Sequence, residues 1–387
     1  MDNNKAMFVA ACNPFEKGGG SQATLAYLDA TIEVFGSKNV TLMISNTSVI
    51  PDRYKEIEII KVPIRSHFKR NIDYLRGYLS RFTLPLMKYL YNNKSLYQYC
   101  IINGSLTGGK AIPYINKLGI KTVVIYHNYE VEYHKDNRTV ESLKGHYLGV
   151  IKRIEGLSFR EANLNLFLTR QDESLFRNAY GSERGRNFIL GTFDFREREV
   201  EKLSVIKKDY DITISGSLVN YQTAVGIIDF HRNYLAIAKQ MIPNLKVLLT
   251  GRNPSQEIIN IQNSDTDVYT IMPNPEKILS VVQRGKIYLC PTCIGGGLKL
   301  RAMDGLKCGM PILVHEVSAR GYDYYFDKPY YRIYHDEESF KKGLEDLLAF
   351  INENPNCSEL INNDYYEYFG YHKGVDRFRK ALCIIGV

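Results

Sequence analysis

Strand-length apolar runs alternate with helical patterns from one end of this chain to the other, and few folds accommodate that alternation except layered α/β units built on parallel sheets. Residues 8–12 read as a first strand, followed by a glycine-rich turn, a helix over 21–35 and a second strand at 40–44. Further strands are expected at 99–103, 122–127 and 165–169. A second series then opens at 210–215 and continues at 247–251, 268–271, 287–290 and 312–315. The second half therefore repeats the architecture of the first. With 387 residues, the chain has material for two cores rather than one.

The stretch 191–209 is polar and charged, with Arg196, Glu197, Arg198, Glu199, Glu201 and Lys202, and reads as the connection between the halves. The expected domains are 1–200 and 208–370, with a C-terminal helix over 371–387 packing back on the first. No apolar run approaches the roughly 20 residues that cross a bilayer. The apolar start at 6–12 lacks the basic leader and length of a secretory signal. Seven scattered cysteines suit a reducing cytoplasm better than a disulfide scaffold. Cys290 and Cys293 form a CxxC, but no second pair accompanies them, so a zinc or redox reading is disfavoured. Asp265-Thr-Asp267 has the letters of a metal-binding DxD yet sits in a polar connection before a strand.

Residues 61–94 carry eight Lys or Arg against one acid, Asp73. Phe68, Ile72, Leu75, Leu79 and Phe82 recur at helical spacing, flanked by Lys69, Arg70, Arg76 and Arg81, and Pro85 is expected to break the pattern. Such a basic amphipathic helix lies either on an anionic membrane surface or on the core with a solvated basic face, and the sequence leaves both open. The net charge of +8 selects no partner by itself. Nucleic acid is not expected, because no recognition motif accompanies the charge.

The chemistry concentrates in residues 290–314. A strand ends at Cys290, Gly295, Gly296 and Gly297 follow, and a helix is expected to start near Leu298. Glycines let backbone approach a bulky anion, and the first amides of a helix point toward it. Lys299 and Arg301 place cations where a helix dipole disfavours them, a cost that a bound anion offsets. Asp304 lies on the same helix, where a carboxylate accepts hydrogen bonds from a ribose diol. Gly309 and Pro311 end the helix.

This segment resembles the donor-binding signature of the GT4-like (glycosyl transferases group 1) nucleotide-sugar glycosyltransferases with a GT-B fold. Gly295, Gly297, Lys299, Arg301, Asp304, Gly309 and Pro311 stand at matching positions. Residues 214–218, with Ser217, resemble the loop opening the donor domain, and 248–252, with Arg252, resemble its next strand. Residues 125–130, with His127 and Glu130, resemble the His-containing loop of the acceptor domain, and Gly18, Gly19 and Gly20 its N-terminal glycine turn. The likeness departs where the family carries two glutamates with seven residues between them: here Gly296 and Asp304 occupy those positions.

The resemblance implies two Rossmann-like domains facing each other across a cleft, and transfer of a sugar from a nucleotide-sugar to a saccharide acceptor, free or lipid-linked, in cell-surface polysaccharide or glycoconjugate synthesis. It implies retention of configuration and independence from metal or other cofactor, with the UDP, GDP or dTDP nature of the donor open. Gly18, Gly19, Gly20, Ser217, Gly295, Gly296, Gly297, Leu298, Lys299 and Arg301 would hold the diphosphate, and Asp304 and Arg252 the nucleoside. His127, Glu130 and Lys299 would act in catalysis. A sugar-nucleotide epimerase and a non-catalytic nucleotide-binding homologue share the architecture. The expected place is the cytoplasm, with peripheral membrane contact through 61–94 as an option.

Overall fold

The computed structural model describes residues 5–16, 18–136, 144–196 and 207–387. The chain divides into two compact units: Met1–Val200 with Gly370–Val387, and Glu201–Phe369. Among the described residues no helix is long and apolar enough to cross a membrane.

The first unit holds a seven-stranded sheet: β1 Ala6–Ala10, β2 Val40–Ser45, β3 Glu58–Val62, β4 Tyr99–Asn103, β5 Lys121–Tyr126, β6 Leu164–Phe167 and β7 Arg186–Ile189. The spatial order is β3-β2-β1-β4-β5-β6-β7, every pairing is parallel, and β1 is seated between Leu42 and Ile101 at Phe8. Helices cover both faces, so β1, β2 and β4 are buried along their whole length and are mostly apolar, with Thr41, Ser45 and Asn103 as their polar members. The outermost strands β3 and β7 are largely half-exposed and contain Glu58, Lys61, Arg186 and Asn187. Neither was expected from the sequence, because an edge strand needs no continuous apolar run.

The second unit repeats the plan with six parallel strands: β8 Tyr210–Ser217, β9 Val247–Arg252, β10 Tyr269–Pro273, β11 Gly285–Cys290, β12 Ile312–His315 and β13 Tyr331–Tyr334, in the order β10-β9-β8-β11-β12-β13. In each sheet the chain first builds outward from its opening strand and then returns to that strand's other side, between β1 and β4 and between β8 and β11. All strands being parallel, the loops leaving their C-terminal ends gather on one edge of each sheet, and the reversal opens a crevice there.

Three expectations change. Residues 191–194, placed in the connection, are buried in the first unit. The helix Tyr371–Cys383 holds them: Arg377 Nε donates to the Leu190 carbonyl at 3.1 Å and its Nη2 to the Thr192 carbonyl at 3.1 Å. Residues 197–206, which carry most of the expected connection's charge, lie outside the described residues. The basic helix is His67–Leu75 and ends at Gly77 rather than at Pro85. Tyr78 N–H donates to the Asp73 carbonyl and Gly77 N–H to that of Tyr74, both at 2.8 Å, a Schellman stop that uses the positive φ of Gly77, +76°. Pro85 falls in the first turn of the next helix, Thr83–Asn92, where a missing N–H costs little.

The C-terminal helix closes tightly. A Cβ on Gly374 would stand 2.0 Å from Cγ of Phe193, whose ring packs edge-on to Tyr27 at 5.4 Å. Gly374→Ala should therefore displace that ring and cost about 1–3 kcal/mol, read as a lowered melting temperature; an unchanged melting temperature would contradict this packing.

Candidate functional site

In the second unit, the loops after β8 and β11 meet at the strand-order reversal. Asn220 caps the helix Tyr221–Asp229, its Oδ1 accepting the Gln222 amide at 3.0 Å. That helix lies directly on the loop after β11: a Cβ on Gly226 would stand 2.6 Å from the Pro291 carbonyl oxygen. Gly295 has φ +88°, and a Cβ there would come within 2.2 Å of Gln222 Nε2. Glycine is required at 295 both for its backbone and for the passage of Gln222. Lys299 Nζ donates to the Gly296 carbonyl at 2.8 Å and to Gln222 Oε1 at 3.2 Å. Arg301 lies against β8, its Cζ 3.0 Å from where a Gly216 Cβ would be. One neighbourhood thus holds Gly295, Gly296, Lys299 and Arg301 beside the last residues of β8.

Ser217 ends β8 and is paired in register with Arg252, which ends β9 and is exposed. Asp304 follows Arg301 by one turn on the same face of the helix Arg301–Lys307; burial first, and then nearby charges that include Asp304, raise the Tyr288 and Tyr322 hydroxyls. Leu298 packs its side chain against the core cluster containing Met303 and Tyr322, so only its backbone is available to a ligand.

The helix starts at Arg301, later than expected. Gly297, with φ +71°, keeps the chain turning, and the Lys299 carbonyl accepts both the Tyr322 hydroxyl at 2.7 Å and the Ala302 amide at 3.3 Å. Lys299 therefore sits in the approach to a helix of seven residues rather than in its first turn. Cationic side chains and the glycine loop, more than a long helix dipole, define this place.

Two further motifs, one opening this same loop and one elsewhere, have other surroundings. Burial raises the thiol pKa values of Cys290 and Cys293, opposite to what a reactive pair needs, and both are free. Asp265 pairs with Lys239 at 2.5 Å, and the Asp267 carbonyl accepts Lys246 Nζ at 2.6 Å, at the N-terminal end of β10 and so on the opposite edge from the glycine loop.

In the first unit, His127 follows β5 and a polar chain ties it to the glycine turn. Asn103 Nδ2, at the end of β4, donates to Thr24 Oγ1 at 2.7 Å, which leaves Asn103 Oδ1 as acceptor toward His127 Nε2 at 2.5 Å. The imidazole proton is thereby placed on Nε2, and Nδ1 keeps its lone pair. Thr24 in turn donates to the Gly20 carbonyl at 2.8 Å. Gly19 and Gly20 open the helix Gly19–Phe35, with Gly18 as its cap. Burial lowers the His127 pKa to about 4, so the ring is neutral near pH 7.

Glu130 begins the next helix, its Oε2 3.5 Å from His134 Nε2. Its amide donates to Oε1 of Glu155 at 3.1 Å. Glu155 is fully buried and also accepts the Ser105 hydroxyl at 3.0 Å and the Tyr180 hydroxyl at 2.9 Å. Burial, then the charge of Glu130, raises its pKa to about 8. One buried carboxyl thus joins the segments following β4 and β5 to the helix Arg170–Tyr180.

Sequence reasoning missed Gln222, Asn103, Thr24 and Glu155. Each acts through residues remote in the chain, and none belongs to a spaced motif; Glu155 in particular reads as an ordinary surface acid on a helix.

The structural neighbours are glycosyltransferases. HepE of Anabaena, solved with UDP, matches with a TM-score of 0.68 at 10% identity, over 98% of this chain and 99% of that one. Sucrose-phosphate synthase of Thermosynechococcus elongatus gives 0.67 at 11% identity over 99% of both chains. TarM gives 0.68 at 8% identity over the whole of both. No protein-family model matches the sequence, and no curated protein matches it.

The Glu155 carboxyl makes stability depend on pH. Its folded pKa of about 8 lies above the ordinary 4.5, so the folded state holds the proton more tightly and stability falls as pH rises between these values. Glu155→Gln, which keeps the protonated shape, should gain in melting temperature relative to the native protein from about pH 5 to about pH 8; a pH-independent difference would contradict the assignment. With parallel sheets of seven and six strands and such neighbours along its full length, the chain has the GT-B fold.

Proposed function

We propose that this protein transfers a sugar, most simply a hexose, from a nucleotide-sugar donor to a saccharide acceptor, with retention of configuration and without a metal, as a GT4-like enzyme of cell-surface polysaccharide or glycoconjugate synthesis working in the cytoplasm. The observation that carries the reading is the gathering of Lys299 and Arg301 with the Gly295 to Gly297 turn at the strand-order reversal of the second sheet.

Breaking a glycosyl phosphate bond sends the bonding pair to a diphosphate oxygen and leaves an oxocarbenium-like sugar. Charge builds on the leaving group, so fixed cations and backbone amides beside it favour the transition state over the ground state. Lys299 and Arg301 supply those cations, and the amides of Gly295, Gly296, Gly297 and Leu298 complete the cradle with Ser217. Asp304 takes the ribose hydroxyls and Arg252 the nucleoside. The acceptor hydroxyl then attacks the anomeric carbon and passes its proton to the departing phosphate. His127, neutral and with its Nδ1 lone pair available, accepts a hydrogen bond from a sugar hydroxyl, and Glu130 orients another.

HepE is solved with UDP-glucose, which makes UDP-sugars the first donors to test here. Melting temperatures measured with UDP, GDP, dTDP and ADP identify the base, because a ligand that binds only the folded form raises the transition. Lys299→Ala should weaken nucleotide diphosphate binding roughly 10- to 100-fold, about 1.5–3 kcal/mol for a lost hydrogen bond to charge. Unchanged affinity would put the phosphates elsewhere. Turnover of the preferred donor with a saccharide panel should release the nucleotide and give a product of unchanged anomeric configuration; an inverted product would refute retention.

A further inference from the structure

The helix His67–Leu75 packs the wrong way round for an ordinary surface helix. Ser66 caps its start, accepting the Lys69 amide, and the Gly77 turn closes its end. Its docked side carries Asp73, buried and paired with Arg65, and Tyr74, whose ring stacks on Tyr147 at 6.0 Å and meets His146 edge-on at 5.8 Å. Gly77, also buried, admits Arg153, whose Nη2 stands 3.1 Å from where a Cβ would be. A helix normally turns its apolar stripe to the core and its charges to water. Here Asp73 is buried and Tyr74 half-buried, as is Ile72, while Phe68 and Leu75, seven residues apart on one stripe, are 74% and 78% exposed.

The exposed stripe has company. Ile64, just after β3, is 60% exposed, and Val49, after β2, is 83% exposed. Both leave the C-terminal ends of their parallel strands, the edge from which the glycine turn after β1 and His127 after β5 also depart. Lys69 and Arg76 are exposed and lie about 80–100° round the helix from Phe68, at 100° per residue, while Lys61 is exposed on β3. The single acid of residues 61–94, Asp73, is buried against Arg65 and does not balance them.

We propose that this face docks on an anionic lipid bilayer, with Phe68, Leu75 and Ile64 entering the acyl boundary and Lys61, Lys69 and Arg76 meeting lipid phosphates. Apolar side chains mostly offered to solvent, flanked by cations that form no ion pair among the described residues, fit an interface that is apolar inside and negative at its surface. The inference names a partner for the acceptor-side unit and stands whichever donor sugar is moved. It places the acceptor chemistry within reach of a lipid-anchored saccharide.

Co-sedimentation of the full chain with vesicles of phosphatidylcholine and phosphatidylglycerol, against phosphatidylcholine alone, tests it. The native protein should bind the anionic vesicles, lose binding at high salt, and leave the neutral vesicles in the supernatant. Phe68→Glu with Leu75→Glu, and separately Lys69→Glu with Arg76→Glu, should each weaken binding about tenfold or more, with melting temperature and nucleotide-induced shift retained. Lys299→Ala should keep vesicle binding, which separates this result from the donor site. Unaltered vesicle binding by both double variants would overturn the proposal. So would a solution dimer abolished by Phe68→Glu with Leu75→Glu in a protein that ignores vesicles, or preference for duplex DNA over anionic vesicles.

Discussion

The constraint on which everything else rests is the reversal of strand order in two parallel sheets. Because every pairing is parallel, β-strand C-termini share an edge, and because β11 returns to the free side of β8, the segments leaving these two adjacent strands pack together on that edge. The Gly226 and Gly295 positions record how close that packing is: each admits a neighbour where a side chain would stand. Lys299 is held in place by the same arrangement, through Gln222 on the helix after β8 and Gly296 on the loop after β11.

The first sheet solves a related problem differently. Its edge carries a hydrogen-bonded chain from His127 through Asn103 and Thr24 to Gly20, linking the ends of β5 and β4 to the helix after β1. The direction of each bond fixes the next, so the histidine tautomer is set by an amide and a threonine rather than by an acid. Glu155 adds a second anchor a few residues on, holding the Glu130 amide and Ser105. Burial keeps His127 neutral and raises the Glu155 pKa to about 8, so both groups favour their uncharged forms within this edge near pH 7.

The repeated α/β plan was legible in the sequence because central parallel strands are covered on both faces and are mostly apolar, as 6–10, 40–45 and 99–103 are. The edge strands at 58–62, 186–189 and 331–334 escaped, since Glu58, Arg186 and Arg332 are tolerated where one side meets solvent. The glycine loop was legible because glycine and lysine at fixed spacing have few other uses. Its true helix start was not: Tyr322, more than twenty residues on, helps hold Lys299 before the helix. The basic segment yielded its charge and period to reading, but not which side of the helix faces inward. That depends on Asp73 meeting Arg65 and on Tyr74 meeting Tyr147, tertiary partners that override periodicity.

A structure determined with UDP bound tests the central claim most directly. The account predicts a diphosphate lying in the loop after β11, with Lys299 Nζ and the Arg301 guanidinium within hydrogen-bond distance of its oxygens and Lys299 released from Gln222. A diphosphate bound away from residues 295–301, with the Lys299–Gln222 bond intact, would contradict it.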